Sequence, residues 1–251
     1  MTIDDAIAIH LTSAKQGIHA AEQLQGLSID EAYRVQLGIL DRLVNGGQRQ
    51  AGWKVGLTST SLQKAVGYPQ PVFGYLLESA RQPSPASIPH GSLVRPAIEA
   101  ELCLTLGVDL RGPGISLDDA REAIVQVAPS LEIIERRQRG RDLALSLVDN
   151  AQQKAFVVGD PMMADGLDLA AVQVDIGIGG RSVARAFGSE VLGNPLASIV
   201  WLANTLAGHG LHLAAGSAVM SGSFTVPIDV AAGDSVSADF GALGCVRATF
   251  A

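Results

Sequence analysis

The sequence has few charged and few aromatic residues. Asp, Glu, Lys and Arg make up 17% of its 251 residues and aromatic residues make up 4%, whereas 47% are hydrophobic. A chain this apolar can bury a sizeable core, which argues against intrinsic disorder. Because the charged fraction is low for an isolated monomer, we expect some apolar surface to be buried between copies of the chain. The composition therefore predicts a folded homo-oligomer.

The sequence also lacks a basic cluster, a long uncharged apolar run and a secretory signal. The formal net charge is −7, and no run of Lys and Arg alternates with aromatic residues, so nucleic acid is a poor candidate partner. No uncharged apolar stretch reaches the roughly 20 residues of a membrane span. The N-terminal segment Met1–Asp5 has neither the basic nor the apolar region of a signal peptide. We therefore expect a cytoplasmic protein with no nucleic-acid or membrane partner.

Sulfur and imidazole ligands are scarce and scattered. The two cysteines, Cys103 and Cys245, lie far apart, each in an alternating apolar run. This placement favours buried free thiols over a disulfide or a metal site. His209 and His212 follow the end of a predicted helix without the spacing of a zinc motif, so we interpret them as a surface pair near the helix C-terminus.

Helix signals are clearest in the first 50 residues. Ser28 and Glu31 form a capping box before apolar residues at helical spacing, and Gly46-Gly47 ends that helix. An earlier helix is predicted around residues 4–23. Further helices are predicted from Ser116, ending before Pro129, and from Asn194-Pro195 to Gly208. We therefore predict an N-terminal helical region at residues 1–50, followed by a catalytic domain at residues 51–251.

Short strands dominate the rest of the chain. Alternating apolar residues predict strands after Gly52 and over Ile98–Leu106, and a short apolar run predicts a strand over Leu131–Ile134. Gln173–Phe187 has the pattern of a hairpin around Gly179-Gly180, and Ala218–Phe250 that of strand, turn and strand. This irregular mixture indicates an α+β domain rather than repeated βαβ units.

Three glutamates in apolar strands are the most informative polar residues. Glu99 and Glu101 are two apart, so their side chains project from the same face of a strand. Glu132 lies in an apolar run, where an unpaired charge is expensive to bury. Three oxygen ligands without a nearby His or Cys favour Mg²⁺ or Mn²⁺. The alternative is that Glu99 and Glu101 face solvent on an amphipathic strand and Glu132 lies at a strand edge.

Several collinear segments together resemble the family of 2-keto-4-pentenoate hydratases and 4-oxalocrotonate decarboxylases, within the fumarylacetoacetase superfamily. The segments are Gly52–Ser59, Arg95–Leu102, Pro129–Ile134, Asp149–Ala151, Leu192–Pro195, Trp201–Asn204 and Ser221–Thr225. The resemblance implies a fumarylacetoacetase-like mixed β-sheet roll or barrel with an N-terminal helical appendage. It also implies a cytoplasmic homo-oligomer that acts on a small 2-oxo or 2-hydroxy acid.

The resemblance also assigns residue roles. Glu99, Glu101 and Glu132 match the family's ligands for Mg²⁺ or Mn²⁺, and Lys54 matches its active-site lysine. Ser223 or Thr225 matches the wall that contacts substrate. The implied reaction is hydration of a 2-hydroxy-dienoic acid in aromatic-compound catabolism. Three alternatives stay open: decarboxylation of a 4-oxalocrotonate-type acid, hydrolysis of a C–C bond, for which no His lies near the metal motif, and a non-catalytic partner of a sister enzyme.

The neighbours of Lys54 in the sequence also favour an active-site role for this residue. The glycines on either side of it in the strand, Gly52 and Gly56, allow a ligand to approach closely. We expect a partly buried ammonium beside a metal to have a lowered pKa, which suits proton transfer. An ordinary strand lysine paired with an acidic neighbour is the alternative.

The chain departs from the family pattern around the expected pocket. Val72 replaces an acidic residue, Gln152 replaces a serine, and Glu135-Arg136-Arg137 replaces Asp-Ser-Arg. Arg137 is our candidate to grip a second substrate carboxylate; Arg136 and Arg137 could instead belong to a solvated surface loop. The segment 136–148 is a possible lid.

Overall fold

The structure is a computed structural model that describes residues 1–15, 17, 22–137 and 142–251. The helices in this part of the chain are α1 (Ile3–Lys15), α2 (Ile29–Asn45), α3 (Thr60–Val66), α4 (Leu117–Ala123), α5 (Leu143–Val148) and α6 (Pro195–Ala207). The strands are β1 (Gln50–Gly56), β2 (Val72–Leu77), β3 (Arg81–Pro83), β4 (Ala86–Ile88), β5 (Pro96–Leu106), β6 (Ile124–Glu135), β7 (Gln153–Val158), β8 (Met162–Met163), β9 (Gln173–Ile178), β10 (Arg181–Phe187), β11 (Ala218–Met220), β12 (Ile228–Asp229), β13 (Ser235–Asp239) and β14 (Cys245–Phe250).

The strands form two sheets. The larger sheet has the order β2-β1-β11-β5-β6-β7-β3, with β12 beside β5 and β8 beside β6. It is mixed, because β1 pairs with β11 and β3 with β7 in parallel, whereas β5 and β6 are antiparallel. The smaller sheet has the order β10-β9-β13-β14-β4. This arrangement confirms the predicted α+β class with a mixed sheet.

Helix α2 packs on the larger sheet, and α1 packs on α2. The predicted capping box at Ser28 and Glu31 is present, and α2 ends before Gly46. The Tyr33 ring stacks on Phe73 of β2 at 4.3 Å between centroids, and buried Gln36 donates hydrogen bonds to the carbonyls of Phe73 and Leu147. The helix predicted over residues 4–23 is helical as α1 to Lys15, and Gln16 and residues 18–21 lie outside the described part. The division of the chain at residue 50 stays a prediction.

The long antiparallel pair of β5 and β6 crosses the middle of the larger sheet. The predicted end of α4, just before Pro129, is wrong, because α4 ends at Ala123 and β6 begins at once. The β-branched residues from Ile124 onward favour the strand. Pro129 is tolerated inside β6 because no hydrogen bond between β5 and β6 is lost at this position. The N–H and the carbonyl of its partner Leu102 bond to Ser221 instead.

The remaining predicted strands and helices are found, and one prediction about a side chain, that of His209, is corrected. The hairpin of β9 and β10 turns at Gly179-Gly180, and Asn194 caps α6. The two cysteines are free, with Cys103 buried and Cys245 half-buried. His209 is not a simple surface residue, since its ring packs against Tyr33 and Phe73. In the described ranges, no helix is both long enough and apolar enough to cross a bilayer.

Candidate metal centre and its cavity

The register between β5 and β6 brings the three glutamates together. Glu99 lies directly opposite Glu132, and Glu101 lies opposite Ser130 one step along the same face. Glu99, Glu101 and Glu132 each offer a carboxylate oxygen, and these oxygens all lie within 4.8 Å of one another. Glu101 and Glu132 are buried and Glu99 is half-buried, so the solvent-facing alternative for this group is wrong.

The three carboxylates are electrostatically strained. Withdrawal from solvent and the charge of Glu132 raise the pKa of Glu99 to about 7, although Lys54 opposes this shift. Burial, Glu132 and Glu99 raise the pKa of Glu101 well above its usual value, against Lys54 and a hydrogen bond of 2.9 Å from the Gly222 N–H. Burial also raises the pKa of Glu132, offset in part by Lys54. The ionised site therefore needs additional positive charge.

The surroundings of the Glu132 carboxylate indicate which kind of group would supply that positive charge. Neither of its carboxylate oxygens accepts a hydrogen bond within the described residues, although the side chain is fully buried. Its nearest cation is the Lys54 ammonium, 3.3 Å from Oε2. Buried carboxylate oxygens without donors, clustered with two further carboxylates, match the oxygen ligands that Mg²⁺ and Mn²⁺ prefer. The residues present therefore fit a divalent cation.

Lys54 shares this site. It lies in β1, between the backbones of β2 and β11, and its side chain is 4% exposed. Besides Glu132, its ammonium contacts the carbonyl oxygen of Ala151 at 3.4 Å. Burial disfavours the ammonium, but Glu132, Glu99 and Glu101 together outweigh burial and raise the pKa of Lys54. Among the protein groups alone the pKa of Lys54 is therefore raised, and the lowered pKa expected beside a bound metal stays a prediction.

Two chambers of a cavity meet at Glu99. We call the first the polar chamber; it has a volume of about 310 Å³ and contains Glu99, Glu101, Ser59, Ser61, Arg185, Ser223 and Thr225. We call the second the apolar chamber; it has a volume of about 330 Å³ and contains Lys54 and Glu99 with Leu62, Val66, Val72, Ile134, Leu143, Leu147, Ala151, Gln152 and Pro227. Each volume suits a small ligand.

The structure places most of the predicted site residues in these chambers. Ser223 and Thr225 line the polar chamber, and the Thr225 hydroxyl has no hydrogen-bond partner among the described residues. Val72 and Gln152, the two departures from the family pattern, both line the apolar chamber beside Lys54. The hydroxyl groups and Lys54 therefore face the glutamates from different sides.

Two predicted site residues line neither chamber: Glu132, which is fully buried beside Lys54, and Arg137. The Arg137 guanidinium is 8% exposed and is bonded to Asp149 at 2.6 Å and to Glu135. It faces a separate surface cleft beside Tyr75 and Lys154. Two buried carboxylates already bind the guanidinium, so this arrangement does not support the predicted contact between Arg137 and a substrate carboxylate. Arg136 pairs with Asp229 at the surface. Residues 138–141 of the possible lid lie outside the described part.

The turn at Asn150–Gln152 could not be predicted residue by residue from the sequence. Asn150, Ala151 and Gln152 have φ values of 53°, 49° and 67°, so three successive residues without glycine adopt the left-handed conformation. Asparagine is enriched in that region, but alanine and glutamine give no such signal. The backbone donor Gly222 could not be predicted either, because a main-chain N–H leaves no mark in the sequence.

The arrangement of these residues agrees with comparisons to known proteins. The family model for the C-terminal region of fumarylacetoacetate (FAA) hydrolase matches residues 54–251, which include all three glutamates and Lys54. The chain belongs to the fumarylacetoacetate hydrolase family. The match covers the whole of the cavity described above, so the metal centre lies in the part of the chain that defines this family.

Relatives of this family member include a decarboxylase and hydratases of the kinds that the sequence resembles. It is 31% identical to a 4-oxalocrotonate decarboxylase of Pseudomonas putida, with 98% of this chain and 96% of the relative covered. It is 34% identical to a 2-hydroxyhexa-2,4-dienoate hydratase of Comamonas testosteroni, with 83% and 81% covered. The solved 4-oxalocrotonate decarboxylase from Pseudomonas putida G7, complexed with magnesium and adipate, superposes with a TM-score of 0.94 at 31% identity, covering 100% of this chain and 99% of that one. The predicted family resemblance and fumarylacetoacetase-like fold are confirmed.

Proposed function

We propose that this family member is a divalent-metal-dependent lyase that hydrates a 2-hydroxy-dienoic acid of the 2-keto-4-pentenoate type, in aromatic-compound catabolism. The observation that carries the proposal is the convergence of Glu99, Glu101 and Glu132 beside Lys54 at a cavity for a small acid. Relatives that are 31–34% identical and are named as hydratases or decarboxylases support it.

In this proposal Glu99, Glu101 and Glu132 hold Mg²⁺ or Mn²⁺. A cation bound there would supply Lewis-acid polarisation to the carboxylate and C2 oxygen of a 2-oxo or 2-hydroxy acid. A magnesium complex of a solved relative supports the choice of metal. The Ser223 and Thr225 side chains would bind the substrate from the polar chamber, where the Thr225 hydroxyl has a free hydrogen-bonding capacity.

Lys54 is the proposed proton carrier. Hydration moves a proton between the C2 hydroxyl and a distal carbon of the dienol, so a side chain near both positions must relay it. Val72 carries no proton to transfer, and the Gln152 amide does not titrate near neutral pH. The Lys54 ammonium lies in the apolar chamber with both residues. It is therefore the described residue best placed for the relay.

Decarboxylation of a 2-oxo-enedioate is the second candidate. The 4-oxalocrotonate decarboxylase structure superposes over the full chain, which favours this reaction specifically. The aliphatic side of the apolar chamber, which includes Val72, also suits it, since loss of CO₂ needs no residue to activate water. The same metal centre serves either reaction, because both pass through an electron-rich intermediate.

Two substrates separate the candidates. The protein, loaded with Mg²⁺ or Mn²⁺, is incubated with 2-hydroxypenta-2,4-dienoate and with a 2-oxo-hexenedioate, and conjugation is followed by ultraviolet absorbance. Hydration consumes the first substrate without releasing CO₂, whereas decarboxylation consumes the second and releases it. Glu101→Gln is the control that removes one metal ligand. Metal binding with no turnover of either substrate would reject the proposal and favour a non-catalytic partner of a sister enzyme.

Assembly and location complete the proposal. We infer a cytoplasmic homo-oligomer that takes a small acid as substrate. The low charged fraction of the chain and exposed apolar side chains such as Val183, Phe187 and Val226 support association of copies. Two cysteines that are not joined in a disulfide are consistent with a reducing compartment.

A further inference from the structure

The turn at Asn150–Gln152 enters the cavity in a conformation that needs external support. Its three successive left-handed residues are unfavourable for side chains other than glycine, and such backbone persists only where its surroundings hold it. The short 3₁₀ turn that connects α5 to β7 makes two backbone bonds, from the Gln152 N–H to the Asp149 carbonyl at 3.0 Å and from the Gln153 N–H to the Asn150 carbonyl. Local bonds of this kind do not remove the strain of three left-handed residues, so neighbouring side chains must help to hold the shape.

This turn forms part of the apolar chamber. The Ala151 carbonyl accepts a hydrogen bond of 3.4 Å from the Lys54 ammonium, which also contacts Glu132. Ala151 and Gln152 both line the chamber. The position of the turn therefore sets where the Lys54 ammonium and the Gln152 side chain lie relative to a bound substrate.

Arg137 forms hydrogen bonds with Asp149 and Gln153, the residues on either side of the turn, from the side away from the cavity. Its Nε donates to the Asp149 carboxylate at 2.6 Å, and its Nη2 approaches the carbonyls of Asp149 and Gln153 at 3.3 Å and 3.5 Å. Its Nη1 donates to the Glu135 carboxylate, which ties the turn to the end of β6. One planar guanidinium thus joins two carboxylates and two carbonyls.

Asn150 holds the middle of the turn against β2. Its side-chain oxygen accepts the Tyr75 N–H at 2.8 Å, and its side-chain nitrogen donates to the Tyr75 carbonyl at 2.9 Å. The fit is close, because a Cβ atom at Gly74 would lie 2.8 Å from the Asn150 side-chain oxygen. The turn is therefore fixed on two sides, by Arg137 and by β2.

We propose that Arg137 is a positioning residue that holds the Asn150–Gln152 turn, and through it the Ala151 carbonyl and the Gln152 side chain, at the substrate chamber. The kinetic part of this inference rests on the proposed lyase function. A lysine cannot replace the guanidinium, because a single ammonium lacks the planar fork that bonds several acceptors at once. A displacement of about 1 Å in a substrate-facing group can reduce the rate about 10²-fold.

The test compares Arg137→Lys with the matched control Arg136→Lys, which alters an adjacent arginine that pairs with Asp229 at the surface. We measure kcat and KM on the substrate that the wild type converts, Mn²⁺ affinity by calorimetry, and hydrogen exchange of peptides covering residues 149–153. For Arg137→Lys we expect kcat to fall about 10²-fold, with Mn²⁺ affinity and KM nearly unchanged. Exchange should rise in that segment but not in β5 and β6. Arg136→Lys should match the wild type.

Asp149→Asn provides a second route if Arg137→Lys does not fold. It weakens the bond between the Arg137 guanidinium and this end of the turn without adding an atom beside Lys54, and we expect the same local rise in hydrogen exchange and the same fall in kcat. Unchanged exchange in segment 149–153, a local rise without a fall in kcat, or an equal rise throughout the sheet would each overturn the proposal. If the wild type converts neither substrate, the lyase function fails, while the exchange measurement still decides whether Arg137 holds the turn.

Discussion

At the residue scale, the site is defined by charges that oppose one another. Three carboxylates gather on two adjacent strands with a single ammonium, and the buried Glu132 oxygens accept no hydrogen bond from the described residues. Such a cluster is costly when ionised and becomes favourable when a divalent cation joins it. The composition of the site therefore links metal binding, protonation and stability.

Glu101→Gln tests the ligand set. The amide oxygen can still accept the Gly222 N–H, so the fold should survive, and the metal-free protein loses one source of repulsion. We expect metal-dependent activity to be abolished and Mn²⁺ binding to weaken by at least about tenfold, that is by about 1.4 kcal/mol. Calorimetric titration and thermal unfolding measure both effects. Wild-type affinity in this variant would exclude Glu101 as a ligand.

Lys54→Met tests the proton carrier. Methionine preserves much of the buried volume but cannot transfer a proton, so the rate should fall by about 10²–10⁴, the usual contribution of a positioned acid–base group. Metal affinity should not fall, because the variant removes a positive charge that opposes the cation. Steady-state kinetics at saturating Mg²⁺ measure the rate, with Lys64→Met, which alters an exposed lysine of α3, as control. Near-normal turnover would show that the proton travels by another route.

The pKa of Glu99 predicts that the stability of the metal-free protein and the strength of metal binding change in opposite directions with pH. In the folded protein this pKa is about 7, above the usual 4.5. Between these values the folded state retains a proton that the unfolded chain has released, so the metal-free protein loses stability as pH rises through that window. Metal binding needs the ionised carboxylates and therefore strengthens over the same window. Thermal unfolding should show a larger stabilisation by Mg²⁺ at pH 8 than at pH 5; equal gains would contradict this account.

At the scale of elements, the site depends on how closely β1 approaches β11. Gly52 pairs with Ala218 in this parallel contact, and a Cβ atom on Gly52 would lie 1.8 Å from the Ala218 carbonyl oxygen. Gly52 also has a φ of 153°, which side chains rarely adopt. Lys54 follows two residues later in the same strand. The position of the ammonium therefore depends on a strand contact that only glycine permits.

Gly52→Ala should separate β1 from β11. We expect a loss of unfolding free energy of about 3 kcal/mol or more, since the clash involves backbone atoms that cannot rotate away. Urea unfolding provides the measurement. Gly91→Ala is the control, because a Cβ atom there meets no neighbouring atom within 4 Å. Equal stabilities of the two variants would show that the β1–β11 contact adjusts freely.

The elements also show what the sequence could and could not predict. The α2 capping box and the hairpin at Gly179-Gly180 were predicted because their signals are local. The start of β6 was not, because its pairing with β5 overrides the apparent helix extension towards Pro129. Glu99, Glu101 and Glu132 were selected from alternation and resemblance. The partners of Arg137 were not, since they lie up to 16 residues away and are joined only in the folded chain.

At the scale of the whole molecule, the chain should associate. A protein with 17% charged residues and exposed Phe187 and Val226 near the polar chamber has apolar surface to cover. We expect light scattering at micromolar concentration to give a multiple of the 26.0 kDa chain mass. A mass of one chain under these conditions would contradict the proposed homo-oligomer without affecting the metal centre.

The location of a bound cation is the most direct test of the whole account. Crystals of the protein containing Mn²⁺ would be measured with X-rays near the manganese absorption edge, so that an anomalous difference map marks the ion. We expect one strong peak among the carboxylates of Glu99, Glu101 and Glu132, with oxygens at about 2.0–2.2 Å, and loss of that peak in Glu101→Gln. A fully occupied manganese peak elsewhere, with none between these glutamates, would contradict it.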